Sequence, residues 1–190
     1  MKIGLFFGSF NPVHVGHMII ANYMATQTDL EQVWLVVSPQ NPLKKKETLA
    51  RDRERLHMAL LAVGENPHLR VSDIEFGLPS PSYTVDTLIY LREKYPEHQF
   101  CPIMGGDNLA TIEKWKNYEF LLEEYEIYLY SRPDYDSGKY TDHPNVRQFD
   151  APQMEISSSY IRKCIKEGKS IQYLVPDAVF EYIESGNMYQ

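Results

Sequence analysis

Two short apolar runs, Ile3 to Phe7 and Val33 to Val37, flank a stretch of helical spacing that begins at Met18-Ile19-Ile20-Ala21. This order constrains the fold more than any other feature of the chain. Continuously apolar runs of that length read as parallel strands covered on both faces. Joined by a helix from about Gly16 to Gln27, they make a βαβ unit, for which the crossover is right-handed. The turn between the first strand and the helix, Gly8-Ser9-Phe10-Asn11-Pro12-Val13-His14-Val15-Gly16-His17, then lies at the carboxyl edge of the sheet, where open α/β folds bind their ligands.

That turn has the makings of an anion site. A helix N-terminus presents free N–H groups and the positive end of its dipole, and Gly8, Ser9 and Gly16 are small enough to let a phosphate approach the backbone. His14 and His17, three residues apart across the first helical turn, can fall on one side and hydrogen-bond phosphate oxygens. The same pair also suits a structural role or half of a zinc site, although the neighbouring residues offer no Cys, Asp or Glu to complete one.

With 190 residues the chain suits one domain, and its net charge of −7 argues against general nucleic-acid binding, which needs a basic face. Basic residues are nevertheless clustered at Lys44-Lys45-Lys46 and at Arg51, Arg53 and Arg55. The two cysteines, Cys101 and Cys164, are far apart and sit in apolar or helical patterns, which fits reduced thiols. No apolar run is long enough to span a membrane, and Lys2 before a strand does not make a signal peptide, so a cytoplasmic protein is expected.

Further elements follow in alternation. A helix over Arg51 to Val63 should bury Leu56, Ala59, Leu60 and Val63, leaving its arginines to solvent or to a phosphate ligand. Leu69 to Ser72 reads as a strand, and a helix capped by Ser82 or Thr84 should run to Tyr95. Phe100 to Met104 is a strand that ends in the turn Gly105-Gly106-Asp107-Asn108, on the same edge as Gly8–His17. Trp115 stands among charged residues, an unusual setting for a core tryptophan. Glu126 to Ser131 and Val146 to Phe149 read as strands around an aperiodic loop, Arg132 to Asn145. Serines 157 to 159 announce a helix ending near Gly168, and a last helix follows Val175-Pro176-Asp177. The prediction is an α/β chain, Rossmann-like and doubly wound, with a mostly parallel sheet, helices on both faces and a small helical part over about 157–190.

Three segments carry a resemblance. A Gly-Ser-Phe-Asn-Pro turn leading into His14-Val15-Gly16-His17, the Tyr83-Thr84-Val85-Asp86-Thr87 segment and Ile156-Ser157-Ser158-Ser159-Tyr160-Ile161-Arg162 resemble the motifs of the nucleotidyltransferases. Within that superfamily the chain is similar to the bacterial nicotinate mononucleotide adenylyltransferases over nearly its whole length. The resemblance implies ATP and nicotinate mononucleotide as substrates, Mg²⁺ with the ATP, and nicotinic acid adenine dinucleotide and pyrophosphate as products. It assigns His14, His17, Lys44 and Arg162 to the chemistry on the triphosphate. Gly8, Ser9, Phe10, Gly16, Gly105, Asp107, Ile156, Ser157 and Ser158 would bind the nucleotide, with Asp107 near ribose hydroxyls. Tyr83, Thr84 and Trp115 would recognise the pyridine substrate, the indole against the ring.

Related transferases acting on nicotinamide mononucleotide or phosphopantetheine, and a non-catalytic ATP sensor, share the fold that this resemblance implies. Those acting on phosphopantetheine commonly have threonine where His14 stands, and a sensor has no need of both histidines. No metal ligand set, nucleic-acid partner or membrane partner is expected, and a homo-oligomer is left open.

Overall fold

The computed structural model describes residues 1–39, 49–130 and 136–190. Lys44, with Lys45 and Lys46, lies outside the described residues. Six strands form one sheet: β1 (Lys2–Gly8), β2 (Gln32–Val37), β3 (Leu69–Ser72), β4 (Gln99–Gly105), β5 (Ile127–Tyr130) and β6 (Val146–Phe149). Their order is β3-β2-β1-β4-β5-β6, and every pairing is parallel. The expected doubly wound topology is present, and the sheet is parallel throughout rather than mostly so. Connections leave β1 toward one edge and β4 toward the other, so a crevice opens between them at the carboxyl ends.

The helices are α1 (Val15–Gln27), α2 (Asp52–Val63), α3 (Thr84–Lys94), α4 (Gly106–Ala110), α5 (Tyr118–Glu124), α6 (Ser158–Lys166) and α7 (Asp177–Ser185). Alternate residues of β1 and β2 feed two cores, as the period-2 geometry of a strand demands, and Met104, Ile127 and Leu129 of β4 and β5 belong to a third apolar cluster. Ile3, Leu5, Trp34 and Val36 meet Val85, Leu88 and Leu91 of α3 on one face. Phe6, Val33, Leu35 and Val37 meet Met24 of α1, Met58 of α2, Ile161 of α6 and Ile183 of α7 on the other. Cys101 and Cys164 are buried and free. Among the described residues no helix is long and apolar enough to cross a membrane.

Three expectations need correction. On α2, Leu60 is exposed while Arg55 is fully buried, because hydrogen bonds draw the guanidinium inward and rotate the buried stripe onto Arg55, Met58 and Ala59. Neither Ser82 nor Thr84 caps α3: Tyr83 is the N-cap residue and makes no side-chain bond there, because the Ser82 hydroxyl is turned inside the protein. The Gly105–Asn108 segment is not a simple tight turn, since Gly105 ends β4 and Gly106 already begins α4.

The two ends of the sheet differ electrostatically. At the amino end Lys2 Nζ lies 2.9 Å from Asp29 and 2.7 Å from Glu126, and Arg147 closes on Asp29 at 2.8 Å. Those charges satisfy one another. At the carboxyl end several buried polar atoms have no partner, and that is where the cleft lies.

Candidate active site

A cleft of about 880 Å³ opens where β1 and β4 end. Among the described residues six buried side-chain polar atoms lack a hydrogen-bond partner, and four of them, on His14, Glu75, Ser82 and Asp107, belong to residues lining this cleft. Buried polar groups are nearly always paired, because an unpaired one costs roughly 1–3 kcal/mol. Their concentration in one cavity marks a surface made for a polar ligand.

The turn from Gly8 to His17 is built around two imidazoles. Their rings stack with centroids 3.6 Å apart. The His14 backbone N–H donates to His17 Nδ1 at 3.2 Å, so that nitrogen is an acceptor and Nε2 carries the hydrogen. The ring of Phe10 stands edge-on to His17 at 5.0 Å. Phe10 is 2% exposed and has a left-handed backbone, φ 46°, a conformation that costs a bulky residue energy and is held by its surroundings. Its contribution to the site is to seat His17.

Side chains of the protein itself also require glycine at these places, while Gly8 and Gly16 line the cleft. A Cβ on Gly8 would lie 2.8 Å from the Phe10 ring, and one on Gly16 would lie 3.0 Å from His14 Nδ1. Gly105 is buried and is absent from the cleft wall; a Cβ there would come within 2.7 Å of the Asp107 carboxylate and 2.9 Å of the Tyr130 ring. One donor at the start of α1 is also already taken, since the Val15 N–H donates to the Leu174 carbonyl at 3.0 Å.

Burial pushes the His14 imidazole down from 6.5 to about 4. The group is therefore neutral in the folded protein at neutral pH. Between pH 4 and 6.5 the unfolded chain binds the proton more readily, so this histidine costs stability as the pH falls through that window and nothing above it. A drop of that size corresponds to about 3 kcal/mol. Urea unfolding at pH 4.5 and pH 7 is expected to show that His14→Gln loses less stability on acidification than the wild type. Equal losses would mean that His14 is not held neutral.

The second element at the cleft is the start of α6. Ser157 is its N-cap, accepting from the Tyr160 N–H at 3.1 Å. The Ser158 hydroxyl donates to the Pro12 carbonyl at 2.9 Å, and Arg162 Nη1 donates to the Asn11 carbonyl at 2.7 Å. These two bonds lock turns that are about 150 residues apart in the chain against each other. The hydroxyl proton of Ser158 is thereby engaged, which leaves its helix-start N–H as the group able to face an anion. Arg162, His14, His17, Ser157, Ser158 and Ile156 all line the one cleft.

The far end of the cleft is walled by Tyr83, Thr84, Trp115 and Lys116. Lys116 Nζ sits 5.0 Å over the Tyr83 ring and 2.8 Å from Asp86. Trp115 is half-buried and rests between two apolar clusters. Asp107 and Ser9 also line the wall.

Sequence reasoning missed three features. Arg55 is fully buried, and its guanidinium donates to the carbonyls of Ala50, Ser9, Ser38 and Pro39 and to Asp52 at 2.6–3.1 Å. Asn11 Oδ1 accepts from the Ala50 N–H at 3.0 Å and from the Tyr189 hydroxyl at 2.9 Å. Glu75, 2% exposed, reaches the cleft wall from a 3₁₀ turn, Ile74–Gly77. A charged residue in an otherwise amphipathic segment reads as solvent-facing from sequence, and only the convergence of distant backbone carbonyls or hydroxyls reveals otherwise.

The Cytidylyltransferase-like family matches residues 5–164. The chain is 55% identical to a protein of Flavobacterium johnsoniae over 100% of both chains, and 54% identical to one of Cytophaga hutchinsonii over 100% of this chain and 98% of the other. Both bear the name "Probable nicotinate-nucleotide adenylyltransferase". A solved Plasmodium falciparum nicotinic acid mononucleotide adenylyltransferase complexed with NaAD has a similar fold, with a TM-score of 0.83 at 21% identity, covering 99% of this chain and 97% of that one.

Proposed function

The chain belongs to the cytidylyltransferase-like family, and from that premise we propose that it transfers the adenylyl group of ATP to nicotinate mononucleotide, releasing pyrophosphate and forming nicotinic acid adenine dinucleotide. The observation that carries the reading is the bonding of the Gly8–His17 turn to the start of α6 through Ser158 and Arg162. Two helix N-termini, two imidazoles and an arginine then face one cleft, the donor set that a triphosphate needs. The names of the closely similar relatives support nicotinate mononucleotide as the acceptor.

The attacking group is a phosphate monoester with a second pKa of about 6, so near neutral pH it is largely ionised and needs no general base. What remains for the protein is to align that oxygen with the α-phosphorus and to neutralise charge as pyrophosphate departs. His17 donates from Nε2, and Arg162 and the amides at the start of α6 act on the same phosphates. Lys44 joins them in this reading through the sequence Asn41-Pro42-Leu43-Lys44, which resembles the family's Asn-Pro-x-Lys segment. Mg²⁺ supplies further neutralisation of the triphosphate when bound. The unpartnered Asp107 carboxylate oxygen faces the same nucleotide.

At the other end the carboxylate of the pyridine substrate is met by the first amides of α3 and the Thr84 hydroxyl. Trp115 lies against the pyridinium ring, gaining stacking and cation–π attraction. Trp115→Ala is expected to raise KM for nicotinate mononucleotide about tenfold with a smaller change in kcat, and Trp115→Phe to recover most of it. An unchanged KM would separate the indole from the substrate. The reaction as a whole is tested by pyrophosphate release from ATP that depends on nicotinate mononucleotide; ATP binding without release would favour a sensor.

A further inference from the structure

Glu75 is a carboxyl group that the reaction above does not use. It is 2% exposed, yet it lines the cleft. Its Oε1 accepts from the Thr87 hydroxyl at 2.8 Å, while Oε2 is buried without a partner. The Ser82 hydroxyl, in the same wall and immediately before Tyr83 and Thr84, is likewise buried without one. The Ser38 and Ser82 hydroxyls face the Glu75 carboxyl, yet neither Oε2 nor the Ser82 hydroxyl closes a hydrogen bond, so an acceptor and a hydroxyl lie side by side next to the segment that faces the pyridine substituent. An amide would fill both positions, giving N–H to the carboxylate and taking O–H from the serine. A carboxylate substituent would face a like charge unless Glu75 held a proton, in which case the acid O–H becomes the donor.

Resting on the nicotinate reading above, we infer that Glu75, assisted by Ser82, is a specificity-determining residue that reads the pyridine substituent, donating to the acid when protonated and accepting from the amide when ionised. Burial favours a proton on Glu75, and the hydroxyls that face the carboxyl oppose it. They are those of Ser38 after β2 and of Ser82 and Thr87 at the start of α3, and burial outweighs them, raising its pKa above the ordinary carboxylate value. Of the charged groups on those elements, Asp86 is paired with Lys116 and Asp73, just before the same turn, is exposed. The acid ligand therefore draws a proton onto Glu75 and the amide ligand does not. Preference for the acid falls as the pH rises.

Dissociation constants of nicotinate and nicotinamide mononucleotides, measured between pH 6 and 8.5, test this. The phosphate titrates alike in both ligands, so the ratio of the two constants isolates the substituent. In the wild type the acid-over-amide preference is expected to fall at least about tenfold over that range. In Glu75→Gln, where the side chain is neutral and can always donate, it should stay constant. A flat ratio in the wild type, or the same slope in both proteins, would overturn the assignment. Calorimetry of the wild type alone, in buffers of different ionisation enthalpy, gives an independent reading: binding the acid should take up more protons than binding the amide, and equal uptake would overturn it even if the variant fails to fold. Pyrophosphate release by the wild type, followed alongside, separates failure of the reaction reading from failure of this one.

Discussion

His17→Ala is expected to lower kcat by about a hundredfold or more, with a much smaller rise in KM for ATP. A preorganised donor aimed at developing charge is worth about 3 kcal/mol of transition-state stabilisation, and each 1.4 kcal/mol is about tenfold in rate. The structure accounts for the preorganisation. The His14 amide holds Nδ1 of His17 as an acceptor, Phe10 closes on the ring edge at 5.0 Å, and His14 covers its face at 3.6 Å. The ring is thus fixed before ATP arrives and loses little entropy on binding it. Because the donor matters most when pyrophosphate leaves, kcat should suffer more than KM. Steady-state pyrophosphate release decides it, with a melting curve to exclude unfolding. Turnover within a few-fold of the wild type would remove His17 from the chemistry.

The largest effect on stability is expected at Arg55. Arg55→Met keeps the bulk of the side chain but leaves the carbonyls of Ser9, Ser38, Pro39 and Ala50 without their buried donor. Removing one side of a buried, fully hydrogen-bonded charge costs about 3–5 kcal/mol. For a chain of this size that corresponds to a fall in Tm of roughly 10 °C. Lysine should not rescue it, because an ammonium cannot span the directions that the planar fork of five donors covers. The neighbouring Arg53, exposed on the same helix, serves as the control: Arg53→Met should change Tm by little. Equal shifts for the two variants would show that the burial of Arg55 carries no energetic weight. Activity should fall with stability here, since Arg55 ties the ends of β1 and β2 to the start of α2 and so holds the floor of the cleft.

Most of the sheet was legible before folding was considered. Ile3 to Phe7 and Val33 to Val37 are apolar without alternation because both faces are covered, and β1 and β2 occupy those runs, with burial on the α1 and α3 sides alike. The start of α6 was equally readable, since Ser157 does cap it. The position of α3 was right, but its cap was wrong, because a serine near a helix start can turn inward toward a buried carboxyl as readily as toward an amide. Leu60 misled for a related reason. A buried cation with five acceptors can claim the inner face of a helix that hydrophobic spacing would give to a leucine.

What the sequence determined by itself is the alternation of strand and helix and the chemistry of the residues at each strand's end, because both follow from local spacing and residue type. What only the tertiary structure decided is which of those ends meet. The bonds from Ser158 to Pro12 and from Arg162 to Asn11, the carbonyls gathered by Arg55, and the open acceptor of Glu75 beside Ser82 join atoms remote along the chain. Their geometry is set by strand order and by the burial that forces polar atoms to find, or to lack, a partner.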